Sequence, residues 1–152
     1  MRLEILHNKT KKKILAKLNE KYGIEKLPYL LIQTGKEKIR GYSGNLSKEE
    51  IMLLSRRLNI EAIGLYLMKE EGFKGDIRFS FDAPSVLDIK KGIVEINEEQ
   101  KDEWLKGQDI FIEDKEIRGS MVLKYKNNFL GSGKAGEGRI TNFVPKERRI
   151  KI

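Results

Sequence analysis

Six lysines and arginines, Lys134, Arg139, Lys146, Arg148, Arg149 and Lys151, share the twenty-five residues Asn128–Ile152 with four glycines and a short hydrophobic register. A guanidinium presents a rigid fork that binds phosphate bidentately or stacks on a base, and an ammonium is a movable point charge. Glycines between them let the backbone turn and come close to a partner. The chemistry this stretch could do is recognition of a polyanion.

Bond-making chemistry has little to draw on. The chain has no cysteine and one histidine, His7, which removes thiol nucleophiles, disulfides, the usual zinc ligand sets and nearly all imidazole catalysis. A metal site or an acid–base pair would have to rest on carboxylates. Glu70-Glu71, Glu98-Glu99 and Asp102-Glu103 have no nucleophile or histidine beside them and read as solvated faces. No enzyme activity, cofactor or metal is therefore expected. An enzyme acting through carboxylates alone is the least supported of three functional readings.

The formal charge of +8 is unevenly spread. Residues 1–75 carry 16 Lys/Arg against 9 Asp/Glu, residues 76–117 carry 6 against 12, and residues 118–152 carry 9 against 2. Two basic ends flank an acidic middle. Basic excess confined to segments points to a polyanion partner, since each phosphate contact releases condensed counterions. The competing explanation is a thermophile-like surface dressed in ion pairs. No run of 18 apolar residues exists and charge begins too early for a secretory leader, so a cytoplasmic protein with no membrane partner is expected.

Positioning these charges requires a scaffold, and 152 residues suffice for two compact halves. Arg2–Leu6 reads as a strand. Thr10 to Tyr22 reads as a helix that buries Ile14, Leu15, Leu18 and Tyr22 and stops at Gly23. Lys9, Lys13, Lys17 and Lys21 recur every fourth residue, about 6 Å apart along the axis, a row that could track a phosphate backbone or simply keep the helix solvated. Tyr29–Gln33 and Lys38–Tyr42 pair as a hairpin around Thr34-Gly35. Ser47 and Glu50 form a capping box that opens a helix with Ile51, Leu54 and Leu58 as its buried stripe.

Ile60–Met68 reads as a strand that breaks at Glu70-Glu71-Gly72. In the half-buried strand that follows, Phe79 and Phe81 are expected to pack the core rather than stack bases. Asp82–Ser85 marks the junction. Beyond it come a strand at Ile93–Ile96, a helix capped by Asn97 with Trp104 as core anchor, and a series of short strands. These are QDIFIED, Arg118–Tyr125, Phe129–Ala135, Ile140–Val144 and Arg148–Ile152, with a tight turn at Lys126-Asn127-Asn128. The last would bury Ile150 and Ile152 while holding Arg148, Arg149 and Lys151 outward. The fold class expected is α+β. Residues 1–84 form an α/β domain with a mixed sheet and at least two helices, and residues 85–152 a β pseudo-barrel.

Gly131, Gly133 and Gly136 match G-x-G-x-x-G, but no helix starts within that loop, and Ala135 stands where a phosphate loop needs a hydroxyl for magnesium. A different resemblance is more specific. From about Val86 to Ile152 the chain resembles a PUA domain, a small RNA-binding pseudo-barrel. The run Leu130-Gly131-x-Gly133-Lys134, then Gly138-Arg139-x-x-Asn142-x-x-Pro145-Lys146-x-x-Arg149, resembles the C-terminal RNA-binding domain of Sun/Fmu-type RNA cytosine methyltransferases. The two-part layout is similar to small PUA proteins of ribosome biogenesis.

The resemblance implies RNA binding through the sheet face and loops around Lys134, Arg139, Asn142, Lys146 and Arg149, with Asn142 reading a base edge or holding its turn. It does not carry the methyl transfer over, since that needs catalytic cysteines and a methyl-donor fold. The expected function is a non-catalytic RNA-binding accessory role in RNA modification or ribosome biogenesis. Its RNA would be tRNA or pre-rRNA, with an RNA methyltransferase or ribosome-assembly factor as further partner. Candidate contacts are Lys134, Arg139, Asn142, Lys146, Arg148 and Arg149, joined by Lys9, Lys13 and Lys17. The alternative is a protein-binding adaptor for such an enzyme, docking through its N-terminal half.

Overall fold

A computed structural model describes residues 2–60, 62–71 and 75–151. It has two five-stranded sheets. The first sheet is an antiparallel meander, β1 (Leu3–Ile5), β2 (Leu30–Thr34), β3 (Lys38–Tyr42), β4 (Leu65–Glu71) and β5 (Asp76–Phe79), each strand paired with the next in chain order. Helix α1 (Asn8–Tyr22) follows β1 and α2 (Lys48–Arg57) follows β3. The second sheet curls into a PUA-like half-barrel of order β6-β8-β9-β10-β7. Its strands are β6 (Ile93–Glu95), β7 (Ile110–Phe111), β8 (Gly119–Tyr125), β9 (Asn128–Gly136) and β10 (Arg139–Asn142), with α3 (Glu98–Leu105) between β6 and β7. The molecule is α+β. Among the described residues no helix is long and apolar enough to cross a membrane.

Helix α1 buries Ile14, Leu18 and Tyr22, and each such side chain contributes roughly 1.5–3 kcal/mol when removed from water. It begins two residues before Thr10, with His7 as N-cap and no side-chain cap bond. Gly23 ends it in the left-handed region at φ 67° and donates its N–H to the Asn19 carbonyl. The Ser47–Glu50 capping box forms in both directions. A second box joins Asn97 and Gln100 at α3. Trp104 is fully buried and donates its indole N–H to Leu130 O at 2.8 Å. Gly133 makes room for it, because a Cβ there would lie 2.6 Å from the ring and 2.5 Å from Thr141 O. The glycine motif thus serves packing inside β9, and no helix follows it.

Several expectations are corrected. Of the stripe read in α2 only Ile51 is buried, and Leu58 is 59% exposed, because the helix ends at Arg57 and the chain turns away in extended conformation at Leu58. Strand β4 starts at Leu65 rather than Ile60 and takes in Glu70 and Glu71, while Gly72 lies outside the described residues. The first sheet is antiparallel rather than mixed. The parallel pair, β6 with β8, belongs to the second sheet, where α3 and β7 supply the long crossover such a pair needs. Of the final strand expected at Arg148–Ile152, the described residues 148–151 form none. Lys146–Arg148 coil into a 3-10 turn after Pro145, and the Ile150 N–H bonds to Leu105 O at 2.8 Å, tying the terminus to α3 instead of the sheet.

The two sheets share packing. One core cluster runs from Leu18 and Tyr22 through Ile77 and Phe79 to Leu87 and Val122 of β8. At its centre the Tyr22 hydroxyl lies 3.3 Å from Ile77 O and 3.2 Å from Ser120 O. Burial first, and then the charge of Asp76, push its ionisation far above the ordinary phenol range. The Ser132 hydroxyl donates to Phe79 O across the same seam at 2.9 Å.

Candidate nucleic-acid interface

Ser132 and Lys134, two residues apart, lie on the same face of β9: Ser132 is buried against Phe79 O, whereas Lys134, one step further along, is exposed. In register, Lys134 stands between Ser120 of β8 and Thr141 of β10. The Ser120 hydroxyl in turn donates to Asp76 Oδ2 on β5 at 3.0 Å. That bond draws the end of the first sheet, and α1 packed on it, up to the strand that carries Lys134. The result is a cleft of about 860 Å³ lined by Lys17, Lys21, Asp76, Arg118, Gly119 and Lys134, among others.

The electrostatics of this cleft favour anions. Neither Lys134, Arg118 nor Lys21 has a carboxylate within salt-bridge distance among the described residues. Lys21 instead donates to Arg118 O at 3.0 Å, and Lys17 reaches Gly75 O at 3.3 Å and Glu70 at 3.5 Å. Of the acidic groups in the cleft, Glu71 is already neutralised by Lys69 at 2.7 Å and Arg78 at 3.0 Å. Burial works against its charged form, but those two cations outweigh it and hold the carboxyl below its ordinary range. Asp76 is occupied by Ser120, and Glu20 is the third acid. Lys13 and Lys9 continue the positive row up the exposed face of α1.

The remaining candidates lie elsewhere, and all but Lys146 have side-chain partners within the fold. Arg139 donates through Nε to Asp109 Oδ2 at 2.8 Å and makes a second, shorter contact through its terminal nitrogen, while its side chain stays 59% exposed. Asn142 is fully engaged. Its main-chain N–H goes to Asp109 Oδ1, its amide donates to Trp104 O and Gln108 O, and its amide oxygen accepts from Val144 N, all at 2.8 Å. The Asn142 N–H first, and the Arg139 guanidinium second, hold the Asp109 carboxyl below its ordinary range. This knot fastens β10 to the end of α3.

Arg149 is half-buried on Gly107 and donates to Val144 O at 3.0 Å. Arg148 is paired with Asp82 at 2.7 Å and lies over the Phe81 ring at 4.6 Å. Lys146 is exposed and makes no ion pair among the described residues. The structure therefore brings Lys134 and Lys17 together and sets Arg139, Arg148 and Arg149 at other places. Sequence reasoning did not include Arg118 among the contacts. Its signal was its place at the head of the basic C-terminal segment, one residue before the strand that faces Lys134.

A curled sheet closed by a short capped helix, whose tryptophan anchors the glycine-bearing strand, gives the C-terminal half a PUA-like fold, the class that the motif run resembled. Residues 91–150 match the family model described as the methyltransferase RsmF PUA domain, in keeping with the resemblance to the RNA-binding domain of Sun/Fmu methyltransferases. The ribosomal RNA small subunit methyltransferase F of Psychromonas ingrahamii is 29% identical over 109 residues, covering 67% of this chain and 22% of the relative. The proteins of that name from Shewanella woodyi and Aeromonas salmonicida are 32% identical over 92 residues and 29% over 93, each match covering 60% of this chain and 19% of the relative. The chain thus spans about a fifth of the length of the curated relatives it matches.

Proposed function

We propose that the chain binds structured RNA, pre-rRNA or tRNA, as a non-catalytic accessory part of RNA modification or ribosome biogenesis in the cytoplasm. One observation carries this reading. The cleft at the seam joins Lys134 of the PUA domain to Lys17, Lys21 and Arg118 with fewer free carboxylates than cations. Lys134 and the row Lys9, Lys13 and Lys17 hold the phosphates, with Lys146, Arg139 and Arg148 as outlying cations. Asn142 and Arg149 keep the barrel edge in shape rather than reading a base. The relatives, named as methyltransferases of small-subunit ribosomal RNA, favour rRNA over tRNA. The division of labour falls near residue 84, with residues 85–152 as the RNA-binding domain and residues 1–84 extending its surface.

A second reading has an observation of its own. Leu46, Leu53, Leu58 and Leu65 are each exposed in the N-terminal half, and exposed apolar side chains are available for docking on an RNA methyltransferase or assembly factor. The two readings separate in one experiment. Crosslinking in cells followed by sequencing should recover a defined rRNA or tRNA segment, and Lys134→Ala with Arg118→Ala should weaken binding of that RNA at least tenfold without lowering the melting temperature. Recovery of no RNA, or binding indifferent to both changes, would reject the proposal.

A further inference from the structure

Phe79 is 3% exposed and closed against Tyr22. The other aromatic side chains along this edge of the seam are not shut in. Tyr66 of β4, Phe81 just beyond β5 and Phe143 just beyond β10 are all half-buried. They come from three separate parts of the chain, yet open into one groove of about 420 Å³. Each carries a cation on its ring. Arg78 lies 3.7 Å from the Phe143 centroid, Arg148 4.6 Å from that of Phe81, and Lys38 5.3 Å from that of Tyr66. Both guanidiniums are fixed by carboxylates, Arg78 by Glu71 at 3.0 Å and Arg148 by Asp82 at 2.7 Å. Their planes are therefore held at the rings instead of swinging in solvent.

Stacked rings and guanidinium planes are what an unpaired base needs, because every base offers a π-face whatever its sequence. The groove's volume also falls in the range of about 300–1,000 Å³ usual for small-ligand sites. We propose that this groove holds an unpaired nucleobase of the bound RNA, stacked on the Phe143–Arg78 and Phe81–Arg148 pairs, with Lys38 beside the adjoining phosphate. The Asp82 and Glu147 carboxylates within it can accept from an exocyclic amino group. The inference rests on the RNA-binding reading above and adds a place where single-stranded RNA is told from duplex.

The probes are a short single-stranded RNA carrying 2-aminopurine and a blunt RNA duplex of equal length, each titrated against the full chain. Phe143→Leu and Phe81→Leu keep the apolar bulk but remove the ring. Each should lower single-strand affinity about tenfold and leave duplex affinity unchanged, while Phe143→Tyr keeps wild-type binding. Should a leucine variant fail to fold, Arg148→Gln on the exposed side of the groove should still lower single-strand affinity more than duplex affinity. Equal single-strand affinity in all variants, with duplex still bound, overturns the groove and leaves the RNA-binding reading intact. A wild-type chain that binds neither probe overturns both.

Discussion

Asp109 accepts from the Asn142 main chain and from the Arg139 side chain, so one carboxylate fixes both the barrel edge and a surface cation. Its folded pKa lies below the ordinary 3.8, so its contribution to stability is fully present above about pH 4 and is lost as the pH falls through the folded value. At neutral pH Asp109→Asn should therefore melt below wild type, and the gap should close as both are acidified below about pH 4. Melting curves by circular dichroism between neutral pH and pH 2 would check it, and a gap independent of pH would show that the charge is not what matters. Residue types located the basic segment but did not separate free cations from occupied ones. Lys134 and Arg139 look equivalent in the sequence. Only folding brings Asp109, thirty positions upstream of Arg139, within reach of it.

Helix ends were the most legible elements, because a cap is local chemistry. Ser47-x-x-Glu50 and Gly23 act where the sequence placed them, whereas the C-terminal strand failed because a proline turn and a bond to α3 outcompeted a two-residue alternation. Strand starts were harder: Leu65 begins β4 only because the chain turns at Gly64, hard against Gly41 O. Two substitutions test the caps. Ser47→Ala should destabilise by about 1 kcal/mol. Gly23→Ala should cost about 1–2 kcal/mol for the left-handed backbone, and more because its Cβ would sit 3.0 Å from Lys90 Cβ. Urea denaturation would measure both, and a neutral Gly23→Ala would mean that the helix end repacks.

At the scale of the molecule, the proposed RNA contact lies at the seam rather than on either half alone. Composition made the two basic ends visible, and the motif run pointed to the PUA-like half. What sequence could not supply was the approach of α1 to β8, since it depends on Tyr22 reaching carbonyls on both sheets and on Ser120 reaching Asp76. These contacts span between 44 and 98 positions of sequence. They place Lys17 and Lys134, one from each half, on the walls of one cleft.

The most direct measurement is the slope of log affinity against log salt for one rRNA fragment, taken for wild type, Lys17→Ala, Lys134→Ala and the double variant. If both lysines contact the same RNA, each change should reduce the slope by about one and the double variant by about two. A slope unmoved by Lys17→Ala, by Lys134→Ala or by both would contradict a single interface across the seam.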